Sequence, residues 1–224
     1  MSWEQEKDKF FTFILKNNII GFFENPIKLK SGRISSWYIN WRTVAEDVFL
    51  IDQLTEYIFS FIKHLKLNPT CFYGVPEGAT KLGIILQYKW ALSHKNIKPG
   101  MFPLSMGRGK PKNYGDIKDS FFLGFPKGNI VIIEDVTTTG NSLIECIDLL
   151  SQMNVNIIAA IGLTNRNELR DDGKSVPDAI KAKNSRFYAM SNAVELLPKL
   201  NPPKDIKNHI IDYFKKYGEQ EIHF

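Results

Sequence analysis

Residues 130 to 142 read IVIIEDVTTTGNS: an apolar run, two adjacent carboxylates, three threonines, then Gly-Asn-Ser. The apolar run has the composition of a buried strand, and in an open parallel sheet ligands bind outside the carboxyl ends of the strands. Glu134 and Asp135 stand at such an end. Ser142 opens a helix, with Ser142-x-x-Glu145 spaced as a capping box and Leu143, Cys146, Ile147 and Leu150 as its core face. Between the acids and that cap, helix N-terminal N–H groups, the helix dipole and the hydroxyls of Thr137, Thr138 and Thr139 make a place for a phosphate. Gly140 lets the backbone come close to the anion. The carboxylates would repel that phosphate, but they suit a polyol beside it, accepting hydrogen bonds from vicinal hydroxyls, or a magnesium ion held through water. A sugar 5-phosphate satisfies both halves of the string. The string has neither a P-loop lysine nor a GxGxxG turn. For an isolated Glu-Asp pair the plain alternative is a strand, a turn and a capped helix with no ligand.

The elements that must position these groups follow from periodicity. Phe10, Phe11, Ile14 and Leu15 give residues 3–18 an apolar helical face, and IKLKSGRISSWYINWR (27–42) reads as strand, turn and strand. A long amphipathic helix covers 47–65, a short strand 70–75, a Pro/Gly turn 76–78 and a helix 79–92. MFPLSM (101–106) is an edge strand, since Pro103 cannot donate to a ladder. RGKPKNYGDIKD (108–119) is a polar, mobile surface loop. Strand 129–134, helix 143–153, strands 155–163 and 186–191 and a helix near 204–217 complete the chain, and 167–184 is polar and partly irregular. Strands alternating with helices predict an α/β fold with a mostly parallel sheet flanked by helices, in one domain spanning 1–224.

With 224 residues, 43% of them hydrophobic and 24% charged, the chain can bury a core of its own. The net charge of +5 allows nucleic acid, an anionic membrane surface or a small polyanion as partner. The positive charge is dispersed rather than interleaved with aromatics, so no nucleic acid is expected. No membrane span is expected either, as no apolar run has the length. MSWEQEKDKF carries no secretory core, and Cys71 and Cys146 lie in apolar stretches, so a reducing, cytoplasmic setting follows.

IVIIEDVTTTGNS resembles the phosphoribosyl-pyrophosphate (PRPP) motif of the type I phosphoribosyltransferases. LKSGR (29–33) with WYIN (37–40), GVPEGA (74–79) and RGKPKNYG (108–115) resemble the orotate branch in particular, in the family's order and at similar intervals from about residue 10 to 217. The resemblance implies a type I phosphoribosyltransferase-like sheet with an N-terminal helix/strand hood (1–45) and a catalytic loop at 108–119. The implied reaction is orotate plus PRPP giving orotidine 5′-monophosphate and pyrophosphate, a step of de novo pyrimidine (UMP) synthesis. Glu134 and Asp135 would hold the ribose, and Thr137, Thr138, Thr139, Gly140, Asn141 and Ser142 the 5-phosphate. Arg108, Lys112 and Lys30 would stabilise pyrophosphate, with Lys110 and Tyr114 also at PRPP. Lys30, the backbone at Tyr38 and Ile39, Thr138 and Arg166 would bind orotate, Arg166 through the base carboxylate. Mg²⁺ would be carried by PRPP, with Glu134 or Asp135 acting through water rather than as direct ligands. The family also implies a homodimer whose catalytic loop reaches the neighbouring subunit's site.

Two positions depart from the family's pattern: Glu77, where Tyr or Lys is common, and Gly109, where Lys is usual, with Lys110 one place along. Read alone, LKSGR is an exposed basic turn and 108–115 a solvated charge run. Two rivals share the PRPP motif: a transferase for another nucleobase, and a non-catalytic PRPP-binding regulator.

Overall fold

The computed structural model describes residues 3–224; Met1 and Ser2, the first residues of the expected hood, lie outside the described residues. Helix α1 (Trp3–Lys16) leads into a hairpin of β1 (Ile20–Lys28) and β2 (Ile34–Ile39), then α2 (Arg42–Ala45) and α3 (Val48–His64). Strand β3 (Cys71–Gly74) is followed by α4 (Thr80–Leu92), β4 (Met106–Gly107), α5 (Ile117–Phe121) and β5 (Phe122–Leu123). Next come β6 (Asn129–Thr137), α6 (Asn141–Gln152), β7 (Asn156–Asn165), α7 (Val176–Lys181), β8 (Phe187–Asn192), α8 (Ala193–Leu200) and α9 (Lys204–Tyr217). No helix among the described residues is long and apolar enough to cross a membrane.

The central sheet is parallel, ordered β3-β6-β7-β8, as the strand–helix alternation predicts. Strand periodicity divides its side chains between two cores. Phe72, Val131, Ile133, Ala159, Ile161 and Leu163 face one side, packed under α1, α3, α8 and α9. Cys71, Tyr73, Ile130, Ile132 and Ala160 face the other, beneath α6 and α7. Apolar residues on both faces explain why IVII shows no alternation. Burial pushes the Cys71 thiol up to about 11 and raises that of Cys146, so both free cysteines are structural.

Several expected boundaries move. The first hairpin strand begins at Ile20, with its register shifting between Phe22 and Ile27. The expected strand 101–106 reduces to Met106–Gly107, because Pro103 breaks the ladder. The polar loop ends in a short helix, α5, capped by Asp116, whose side chain accepts from the Lys118 N–H. Strand β6 runs through Thr137, three residues beyond the expected end, and β7 runs to Asn165. The capping box is corrected: Gly140, left-handed at φ 67°, is the N-cap of α6, so Ser142 lies inside the first turn and its hydroxyl does not cap the helix. A Cβ at Gly140 would also meet Val176 Cγ1 at 2.9 Å.

Candidate active site

The carboxyl ends of β3 and β6, the loop into α6 and the N-terminal hairpin enclose one cleft of about 370 Å³. Each wall traces to a local cause. The hairpin tip turns where the Leu29 N–H bonds to the Arg33 carbonyl at 2.8 Å and the Gly32 N–H to the Leu29 carbonyl at 2.9 Å, which presents Lys30 and Ser31. Pairing of Gly21 with Tyr38 and Ile20 with Ile39 sets β2 along the cleft. Lys30, Tyr38 and Ile39 all line it, as does Arg42.

Glu134 and Asp135 form the floor together with Val136, Thr138, Thr139, Gly140, Asn141 and Ser142. Glu134 is 6% exposed. Its carboxyl is held well above the usual carboxylate range, first by burial and then by the neighbouring Asp135 charge, with Lys30 offsetting part of this. Asp135 Oδ1 accepts from the Val136 N–H at 2.9 Å, and its carboxylate packs so closely on Gly78 that a Cβ there would lie 2.3 Å from Oδ2. The acidic strand end is thereby locked to the 75–79 turn. Lys30 Nζ donates to Ser142 Oγ at 2.9 Å, placing an ammonium over the start of α6.

Thr137 is a correction. Because β6 continues through it, its side chain is 1% exposed and donates to Asn165 Oδ1 at 3.2 Å, away from the cleft. The loop cations are not in their own chain's cleft either. Arg108 donates to the Asp119 carbonyl at 3.1 Å, the Lys112 N–H bonds to the Ser120 carbonyl, and Lys112 Nζ lies 5.3 Å from the centroid of the 73%-exposed Tyr114 ring. Lys110 is exposed on the same flap. Its neighbour Gly109 abuts Glu77: a Cβ there would be 2.4 Å from Glu77 Oε1, so the two departures from the family pattern touch.

Arg166 follows β7 directly and lines the cleft while 1% exposed. Its Nε donates to Glu168 Oε1 at 2.6 Å and one Nη to Ser35 Oγ at 3.2 Å, and the guanidinium lies 3.5 Å over the Trp37 ring. Sequence reasoning missed Glu168, Arg33 and Tyr213, which surround this arginine, and Arg170, which donates to the Thr139 carbonyl and to Asn141 Oδ1, bracing the hydroxyl-rich loop.

The arrangement can hold an anion at the N-terminus of α6, vicinal hydroxyls at Glu134 and Asp135, and a planar ligand against Tyr38 and Ile39 with its anionic edge toward Arg166. No cluster of three or more metal-ligating side chains forms among the described residues. Two adjacent carboxylates nevertheless suit Mg²⁺ borne largely by substrate oxygens and water.

No protein-family model matches the sequence. The orotate phosphoribosyltransferase of Clostridium acetobutylicum is 27% identical over 227 aligned residues, covering 96% of this chain and 99% of that one. The enzyme of the same name from Methanosphaera stadtmanae is 28% identical over 162 residues, 72% of this chain and 83% of the relative. The crystal structure of orotate phosphoribosyltransferase from Francisella tularensis matches with a TM-score of 0.67 at 23% identity, covering 94% of this chain and 99% of that one. The chain thus has the type I phosphoribosyltransferase fold, and over nearly its whole length its sequence is similar to orotate phosphoribosyltransferases.

Proposed function

We propose that the chain is an orotate phosphoribosyltransferase, a pentosyltransferase that makes orotidine 5′-monophosphate and pyrophosphate from orotate and PRPP. The observation that carries this reading is the convergence of three distant segments on one cleft: Lys30, Tyr38 and Ile39 from the hairpin, Glu134 to Val136 and Thr138 to Ser142 from β6 and α6, and Arg166 from the end of β7.

N1 of orotate attacks the anomeric carbon of PRPP with inversion. The C1–O bond to pyrophosphate breaks, its electron pair leaves with the pyrophosphate, and the N1 proton is released to solvent. Positive charge grows on the ribose ring and negative charge on the departing oxygen, so positioning and electrostatics matter more than a strong base. The hydroxyl-rich loop and the N–H groups at the start of α6 grip the 5-phosphate. Glu134 and Asp135 accept from the ribose hydroxyls, and Arg166 pairs with the base carboxylate. Lys30, at the cleft mouth, faces the leaving group. Glu134 or Asp135 would hold a Mg²⁺ ion through water, and the ion would supply charge neutralisation for the departing pyrophosphate.

The domain reading is a single unit with residues 1–45 as hood and 108–119 as a mobile lid. Because Arg108, Lys110, Lys112 and Tyr114 lie outside their own cleft, they are available to a second subunit, which supports a homodimer with lids exchanged. The two free thiols support a cytoplasmic setting. The test is turnover of a base panel with PRPP and Mg²⁺: orotate alone should be consumed. Consumption of hypoxanthine, guanine, adenine or uracil instead would move the substrate and overturn the orotate assignment.

A further inference from the structure

Arg166 is 1% exposed, yet it lines the cleft. A buried cation holds one orientation only where its charge is compensated and its donors are directed. Glu168, itself 0% exposed, does both. Its Oε1 accepts from Arg166 Nε at 2.6 Å, and its Oε2 accepts from Arg33 Nη1 at 2.8 Å and from the Tyr213 hydroxyl at 2.9 Å. Three donors from three elements thus fix one carboxylate: Arg33 from the hairpin, Arg166 from the strand end, and Tyr213 from α9. The backbone around Glu168 is fixed as well, since the Leu169 N–H bonds to the Tyr217 carbonyl at 2.7 Å and the Glu219 N–H to the Asn167 carbonyl at 2.9 Å.

The charge balance of this cluster points toward a ligand. Two buried guanidiniums share one buried carboxylate, leaving one positive charge in excess. Asp171, which Arg33 also reaches at 2.9 Å, has a side chain 90% exposed and is largely screened by water. With Nε held by Glu168, one Arg166 Nη donates to Ser35 Oγ at 3.2 Å and the other reaches the Trp37 carbonyl at 3.5 Å, so the remaining Nη hydrogens of this cleft-lining arginine are left for an anionic group that supplies the missing counter-charge.

We propose that Glu168 is the positioning residue of the subsite for the base carboxylate: it fixes the Arg166 guanidinium edge-on to the cleft and so sets the preference for a pyrimidine that carries a carboxylate over the same ring without one. This rests on the proposed function. Glu168 touches no substrate and acts through Arg166.

The test is steady-state kinetics of Glu168→Gln with both substrates, with uracil, which is orotate without its carboxylate, as a competing ligand. Losing a charge-assisted bond that aims Arg166 should raise KM for orotate about tenfold. KM for PRPP and the inhibition constant of uracil should stay within about twofold, because the phosphate, ribose and ring contacts do not involve Arg166. Asp171→Asn, which loosens only the solvated end of the cluster, should leave KM for orotate within about twofold. A KM for orotate unchanged in Glu168→Gln, or parallel losses for orotate, uracil and PRPP, would overturn the proposal, the latter by showing a merely structural role. Should Glu168→Gln not fold, Tyr213→Phe frees one lone pair of the same carboxylate. A rise of about threefold in orotate KM alone supports the positioning role, and no change overturns it. A parent chain inactive toward orotate overturns the proposed function itself and this inference with it, whereas an active parent with an indifferent Glu168→Gln overturns the inference alone.

Discussion

Lys30 Nζ donates to Ser142 Oγ at 2.9 Å, joining the tip of the N-terminal hairpin to the first turn of the helix that follows the acidic strand. The contact bridges the cleft mouth between two segments 112 residues apart in the chain. It is exposed, so it contributes little to stability. Under the proposed function, it holds an ammonium where pyrophosphate would depart. Lys30→Ala should therefore lower kcat/KM by about a hundredfold while moving the thermal midpoint by less than about 2 °C. Paired kinetic and melting measurements check this; equal activity in the variant would remove Lys30 from the leaving-group site.

Lys112 sits on a flap whose cations do not line their own cleft, which suits action only on closure over a bound substrate. Lys112→Ala should reduce turnover by about a hundredfold or more, with PRPP affinity within about threefold, as read by calorimetry beside kinetics. Mixing Lys112→Ala with Asp135→Asn under conditions that exchange subunits should recover activity, since a hybrid dimer has one site with both residues intact. Failure to recover any would argue against lid exchange.

Glu134 gives a pH signature. Burial, and then the Asp135 charge, raise its carboxyl above the ordinary value of 4.5. The folded chain therefore keeps a proton that the unfolded chain releases above that value. Stability is lost as pH climbs from 4.5 toward the raised folded value, and nothing is lost below 4.5. Glu134→Gln should then melt higher than the parent at pH near 7, with the difference closing by about pH 4, while activity falls because a ribose contact is gone. A lower melting temperature at neutral pH would contradict the burial argument.

Gly78 and Asp135 are packed too closely for any other residue. A Cβ at 78 would stand 2.3 Å from Asp135 Oδ2 and 2.7 Å from its Cγ. Gly78→Ala should displace the carboxylate and lower kcat/KM for PRPP about tenfold or more, with an unchanged far-ultraviolet circular dichroism spectrum. Unaltered kinetics would show that Asp135 can move without consequence.

The parallel sheet was legible because both faces of IVII and of residues 157 to 163 are apolar, and the cleft because most of its floor is one short stretch of sequence. Errors arose where local pattern competed with geometry. Ser142-x-x-Glu145 fits a capping box, but a left-handed Gly140 starts the helix and leaves the serine hydroxyl to Lys30. Helix α8 escaped notice because Pro198 lies inside it. Glu168 sits in a polar stretch that reads as solvated loop, and its burial depends on Arg33, 135 residues away, and on Tyr213, 45 residues away. Ion pairing across such separations leaves no periodic signal in the chain.

The most direct measurement is the ultraviolet absorbance of orotate after PRPP and Mg²⁺ are added to the purified protein. The expected result is a loss of orotate that requires both PRPP and the metal ion, with orotidine 5′-monophosphate and pyrophosphate formed in equal amounts. Unchanged orotate in a protein that still binds PRPP would contradict it and leave a ribose-phosphate pocket without this reaction.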